Sequence, residues 1–386
     1  MENNQSELFD KACKQHDIPE YLSQREKERL LFAAIFKEYK IPEFWTASEK
    51  KEKYSGLQKM IRPSLFRYRK VQDHNINGLK GDYIPVSMPD MMGATGDDFD
   101  SQIFIDYAKV QSEFSLHLSL DTDYFAKWAF EGKPFPEDKL EMVSREMRSI
   151  LENGQRHLRG NIGLKPMLRT AQAYIRGEVS KMTPDSGIEM LDVLQKTGYI
   201  ACFCEDICLE HMWRNYGTDE KNQVGYALEY DFKSLGLNYH APKKGNDFMV
   251  LPTVYGEIYD ATELVIFTLM NNWMKRMLKQ RPLKMPDELA WTKGYFYKHE
   301  KFRDEVEWRL VTPISGIETQ TVIGANQDDR KHSKIYVSPK AIYYGFGISN
   351  ENFEMLEEIA VKKNLIRYRM VEDTELNALR PVLIEA

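Results

Sequence analysis

Apolar residues recur at helical spacing over residues 5 to 40. The stretch SELFDKACKQH leads into YLSQREKERLLFAAIFKEYK, where Leu22, Leu30, Leu31, Ala34, Ile35 and Tyr39 fall among charges. Pro42 ends that run, and the charged stretch SEKKEKYSG separates it from Leu65 to Val71, whose alternation predicts a strand. A boundary near residue 60 follows, with a helical segment over 1–60 and one larger domain over 61–386. From Tyr83 to Asp100 the chain is irregular and rich in Pro, Gly, Met and Asp, as a surface or ligand-covering loop would be. Residues 101 to 197 read as a mainly helical insertion. Beyond them the period shortens to two over Tyr199 to Cys204 and Val224 to Tyr230, with a short helix between them that stops at Gly217. Further strands are expected at 310–314, 334–337 and 341–345, then a helix in NFEMLEEIAVKKN and a last strand in IRYRMVE. This order is α+β, with strands at both ends of the core and helices inserted between them.

Composition narrows the class of protein. With 386 residues, 42% hydrophobic and 12% aromatic, the chain can bury a large core. A net charge of -6 argues against a protein that coats nucleic acid everywhere, but it leaves room for local basic sites. Arg145 to Lys181 holds eight basic residues against three acidic ones, and Lys275, Arg276, Lys279, Arg281 and Lys284 form a second basic cluster. Both could track phosphates, or be solvated helix faces. No apolar run approaches the roughly 18 residues of a membrane span, and the first residues lack a signal-peptide core. No membrane is therefore expected as a partner. Four cysteines in so long a chain form no disulfide framework, so a cytoplasmic, reducing setting is expected.

Few motifs carry chemistry. There is no P-loop, no G-x-G-x-x-G after a strand and no G-x-S-x-G elbow, which excludes the kinases, dehydrogenases and hydrolases that depend on them. Cys202, Cys204, Cys208 and His211 are zinc-type ligands, yet closing a tetrahedron from a strand followed by a helix is awkward, and small buried thiols are the simpler reading. No metal is expected. Glu305 and Glu307 stand two apart in a run that reads as a strand, so they should project side by side on one face. Such a face is either wet, or sits in a cleft where a cation relieves the repulsion. Arg67 and Arg69 flank Tyr68 on another strand, where two planar guanidinium groups on one face suit phosphate oxygens. Trp213 and Tyr216 offer rings for stacking, or for packing the core and a helix end.

The order of these motifs resembles a family. LFRYR, the loop GDYIPVSMPDMMGATGDDFD, CFCED with MWRNYG and VGYALEYD, KHEKFRDEVEWRLV and VSPKAIYYGFGIS follow one another as in a bacterial domain family long listed as of unknown function. That family is similar to the ADP-ribosyltransferase superfamily. The resemblance covers roughly residues 62 to 350 and implies an ADP-ribosyltransferase-like split β-sandwich. It implies NAD as co-substrate, with Arg67 or Arg69 on NAD phosphate or ribose and Tyr68 beside them. Tyr216 and Trp213 would line the nicotinamide pocket. Cys202 and Cys204 fall where relatives carry Ser, and TGDDFD departs from the Asn-Asp-Pro-like run of the loop. Glu307 falls on the catalytic Glu, stabilising the ribosyl cation, and Glu305 on its partner, which orients the acceptor or takes its proton. The activity implied is mono-ADP-ribosyl transfer to a macromolecule, with nucleic acid favoured over protein by the basic clusters. A bacterial toxin or antiphage effector with a neutralising antitoxin protein is a natural setting. An NAD glycohydrolase, a nucleic-acid-binding module without catalysis and a zinc-stabilised module are the alternatives.

Overall fold

The computed structural model describes residues 2–88, 102–112, 127–128, 131–134, 155–156, 159–160, 198–233, 248–278, 284–313, 332–373, 375 and 378–384. The helical reading of 101–197, its basic stretch and the loop after Met88 lie largely outside the described residues. So do the side chains of the second basic cluster, except Lys284.

Three helices open the chain: α1 (Glu2–Gln15), α2 (Gln24–Glu38) and α3 (Ala47–Lys59). Helix α2 begins at Ser23 through a reciprocal cap, in which Ser23 Oγ accepts from the Glu26 N–H and the Glu26 carboxylate accepts from the Ser23 N–H at 2.9 Å. Its Phe32 and Phe36 turn inward. The charged stretch expected to separate this segment from the rest is itself helical. Most of its charges face water, with Lys50 paired to Glu288, while Tyr54 and Leu57, three apart, reach the core from α3. These four side chains form one cluster with Ile200, Met249, Leu251 and Val311, so the helical start shares a core with the sheet. Each such buried side chain contributes about 1.5–3 kcal/mol.

Next come β1 (Leu65–Arg69), α4 (Asp73–Lys80), β2 (Tyr83–Ser87), β3 (Ile103–Phe104), β4 (Gly198–Cys204), α5 (Glu210–Tyr216) and β5 (Tyr226–Tyr230). Strands β6 (Met249–Pro252), β7 (Val254–Tyr255) and β8 (Tyr259–Asp260) precede α6 (Thr262–Leu278) and α7 (Ala290–Lys293). The chain continues through β9 (Tyr297–Lys298), β10 (Glu307–Pro313), β11 (His332–Tyr336), β12 (Ala341–Tyr344), α8 (Asn350–Lys362), β13 (Ile366–Asp373) and β14 (Ala378–Leu383). Ten of the strands form one mostly antiparallel sheet, ordered β11-β2-β4-β1-β5-β12-β13-β14, with β10 between β4 and β6. The expected strands are present, together with β2 in the segment read as a loop and with β6 and β14.

The sheet forks at β4. One edge of β4 pairs with β10 along its length, from Glu307↔Cys204 to Pro313↔Gly198. The other edge meets β1 only at Phe66↔Cys204 and β2 only at Ser87↔Ile200. Side chains therefore divide between two faces. Leu65, Phe203, Tyr226, Leu228, Trp308 and Leu310 pack beneath α4 and α8, where Ile76, Leu79, Leu356 and Ile359 cover them. Phe66, Tyr68, Cys204 and Ala227 face the other way, against Met212 and Trp213 of α5. No helix among the described residues is long and apolar enough to cross a membrane.

Candidate active site

Glu307 is the first residue of β10, 2% exposed, and all its polar atoms are held. Its N–H donates to the Tyr255 hydroxyl at 2.7 Å, and its carbonyl accepts from the Thr253 N–H at 3.0 Å and from Arg29 of α2 at 3.1 Å. One carboxylate oxygen accepts from Arg309 Nε at 2.9 Å, the other from Lys298 Nζ at 2.9 Å, and the Cys202 thiol adds a further hydrogen bond. Arg309 is 0% exposed and also donates to the Tyr295 carbonyl at 2.7 Å. Burial alone would raise the pKa of Glu307, but Arg309 and Lys298 outweigh it and hold that pKa at about 2.

Glu305 does not lie on that strand. It closes a 3-10 turn over Glu300–Glu305, and Val306 follows at φ 43, ψ 46, in the left-handed region that a β-branched side chain rarely adopts. The expectation that alternation along one strand aligns the two carboxylates is therefore corrected. A backbone corner separates them, and Lys298 rejoins them by donating to Glu305 at 2.8 Å as well as to Glu307. Nor is this face wet, since Glu305 is only 8% exposed. Its other oxygen accepts from the Tyr216 hydroxyl at 2.7 Å. Burial, with the charge of Glu307 added to it, raises the pKa of Glu305 despite Lys298. Burial and the Glu305 charge push the Tyr216 hydroxyl well above its ordinary value. Two neighbouring carboxylates are thus driven apart in proton affinity, the pattern by which enzymes separate an acid or base from a permanent anion.

Arg67 and Arg69 do share a face of β1, the one that carries Phe203, whose ring lies 5.6 Å from the Arg67 guanidinium. Both residues are of intermediate exposure, yet Arg67 Nη1 and Arg69 Nη2 are buried without a hydrogen-bond partner among the described residues, as is the hydroxyl of Tyr226 opposite Arg69. Arg67 does donate through Nη2 to the Pro85 carbonyl at 2.9 Å. Burial lowers the pKa of both guanidiniums, and the repulsion of Arg69 adds to the effect on Arg67. Neither has an acidic partner among the described residues. Two like charges with orphaned donors are the counterpart of an anion. Gly225 lies so close to the Arg69 carbonyl that there is no room for a Cβ, which lets β5 press against the end of β1.

Arg69→Met is expected to leave the free protein equally stable or up to about 2 kcal/mol more stable, because an uncompensated charge gives way to an apolar chain. Thermal unfolding measures this, and a loss above that size would show that the guanidinium already has a partner. The same variant should lose the rise in melting temperature that an anionic ligand gives the wild type.

The elements meet around a cleft of about 800 Å³ at the end of β1. Arg69 and Tyr68 of β1, His74 of α4, His211 and Tyr216 of α5, and Glu305 all line it. A volume of this size suits a nucleotide-sized ligand. Of the residues singled out in the sequence, Tyr68, Arg69, Tyr216 and Glu305 are brought together here. Glu307 and Cys202 lie one layer behind, on the sheet face opposite the arginines, and Arg67 does not line the cleft. Trp213 is in the core, its indole N–H donating to the Ile207 carbonyl at 2.8 Å and its ring edge-on to Tyr68. The Tyr68 hydroxyl is engaged too, donating to the Asp206 carbonyl at 2.6 Å.

Cys202, Cys204, Cys208 and His211 do not gather. The Cys204 thiol donates to the Asp206 carbonyl, and burial pushes its pKa up to about 12, which favours thiol over thiolate. Among the described residues no three His, Cys, Asp or Glu side chains converge to hold a metal ion. Sequence reasoning missed Lys298, Arg309, Tyr255 and Arg29 as site residues, and weighed His211 only as a metal ligand. Only Arg309 left a signal, since it stands two residues after Glu307 on a strand and so must share its face. No family model, no curated protein and no solved structure matches the chain.

Proposed function

We propose that the cleft binds NAD and that the protein transfers ADP-ribose from it to a macromolecule, with nucleic acid favoured as acceptor. The observation that carries this reading is that Arg69 and Glu305, the latter held by Tyr216, line one cleft. A cation and a carboxylate at one cleft are what cleavage of the nicotinamide–ribose bond requires. The phosphates are held while negative charge stabilises the ribosyl cation. The fork of the sheet at β4 and the chain order of Arg, aromatic and Glu support an ADP-ribosyltransferase-like split β-sandwich.

The geometry favours a different division of labour from the one the resemblance implies. Glu305 lines the cleft, so it is the carboxylate that meets the substrate. Glu307 is sealed behind it and contributes negative potential. In this reaction the carbon–nitrogen bond breaks with its electron pair leaving on the nicotinamide nitrogen. The acceptor's nucleophile then bonds to the ribose carbon, and its proton passes to Glu305, whose raised pKa suits a proton acceptor. An enzyme that spends NAD or modifies essential polymers fits a toxin or antiphage effector restrained by a neutralising protein.

Incubation with NAD labelled in its adenylate, together with separate RNA, DNA and protein pools, tests the proposal. Label is expected on nucleic acid, with one nicotinamide released per label transferred. Nicotinamide release without label on any pool would make the protein an NAD glycohydrolase, and no release at all would overturn the NAD reading.

A further inference from the structure

Lys298 is the one side chain among the described residues that bonds both candidate carboxylates. It is 3% exposed, and its Nζ donates to one oxygen of Glu305 at 2.8 Å and one oxygen of Glu307 at 2.9 Å. Strand β9 carries it and pairs in parallel with β7, setting Lys298 beside Tyr255, whose hydroxyl accepts from the Glu307 N–H. The Phe302 ring closes over Nζ at 4.3 Å. Small though it is, this two-stranded unit holds both the ammonium and the hydroxyl that fix the carboxylate pair.

The charges around the pair are unevenly shared. Of the two carboxylates, Arg309 of β10 bonds only Glu307, and the Cys202 thiol of β4 also bonds Glu307. Tyr216 of α5 gives Glu305 a neutral hydrogen bond. The only cation bonded to Glu305 among the described residues is therefore Lys298, and without it Glu305 would face the negative charge of Glu307 unrelieved. A repelled carboxylate at the cleft wall would swing away, since the 3-10 turn holds it less firmly than a strand would.

We infer that Lys298 is a positioning residue. By taking one oxygen of each carboxylate, it turns Glu305 toward the cleft and pins Glu307 behind it, making one aligned pair of two like charges. The role of that alignment in catalysis rests on the ADP-ribosyl-transfer reading, whereas the alignment itself does not. Lys298 also lowers the pKa of both groups, so losing its charge should raise both.

The test is a carbon-13 titration of the two carboxylates in the wild type, Lys298→Met and Lys298→Arg, assigned with Glu305→Gln and Glu307→Gln, alongside nicotinamide release as a function of pH. In Lys298→Met both carboxylates should titrate at higher pH than in the wild type. The kcat should fall about 100-fold from misplacement, with KM little changed and the acid limb of the rate profile moved upward. Lys298→Arg, which keeps a charge, should restore part of each. If Lys298→Met does not fold, Lys298→Gln takes its place in the same titration. Unmoved carboxylate titrations in a folded, uncharged variant would overturn the inference. So would a rise in KM with kcat unchanged. Wild-type protein that releases no nicotinamide would defeat the NAD reading, yet the titration would still decide what Lys298 does.

Discussion

Glu305→Gln should slow nicotinamide release from NAD by about 10²- to 10⁴-fold, the range lost with a positioned acid or base. Glutamine keeps the shape and can still accept from Tyr216, so the cleft itself survives. What disappears is a negative charge at its wall and a site for the acceptor's proton. KM for NAD should change little, because the proposed anchor for its phosphates is Arg69 and not Glu305. Stability should hold or rise, since one of two adjacent buried carboxylates no longer repels the other. Steady-state kinetics with a thermal melt on the same sample measures both. Full activity in Glu305→Gln with activity lost in Glu307→Gln would return the substrate-facing role to Glu307.

Arg309→Met carries the largest expected structural penalty, about 3–5 kcal/mol, the magnitude for breaking a buried ion pair from one side. Arginine stays charged at any working pH, and here it is sealed from water, so its partner cannot be relieved by solvent. Its removal strands Glu307 with Lys298 as its remaining cation and leaves the Tyr295 carbonyl without this donor. Urea unfolding should show a midpoint lower by on the order of 1–2 M at a slope of roughly 2–3 kcal/mol/M. Adding Glu307→Gln should recover part of the loss, because the double variant no longer buries an unmatched anion. A loss below about 1 kcal/mol in Arg309→Met would mean that the pair is less buried or less coupled than the structure has it.

Much of the scaffold could be read from residue patterns. The alternation in Leu65–Arg69, the strand-type runs in Gly198–Cys204 and Ala341–Tyr344 and the stop of α5 at Gly217 are local signals, and local physics governed them. Where packing ruled instead, the patterns misled. Helix α3 hides two buried residues among charges, and Pro85 and Pro381 disguise β2 and β14 as something other than strands. For the site, residue types singled out Arg69, Tyr216 and the Glu pair. Tyr255 of β7 and Arg29 of α2 stayed invisible because they arrive from distant elements, and Lys298, only seven residues before Glu305, because a 3-10 turn rather than a strand folds it back onto the pair. Nothing in the letters Glu-Val-Glu announces a left-handed residue in the middle.

That residue gives the pair an asymmetry of motion. Val306 sits where a side chain of its type is strained by about 1–3 kcal/mol, and it marks the seam between a turn and a ten-stranded sheet. Glu307 belongs to the sheet and can shift only if β10 shifts. Glu305 belongs to the turn, and its place depends on that one backbone corner and on the hydrogen bonds from Lys298 and Tyr216. Glycine at 306 would ease the strain and loosen that corner, trading a sprung carboxylate for a slack one.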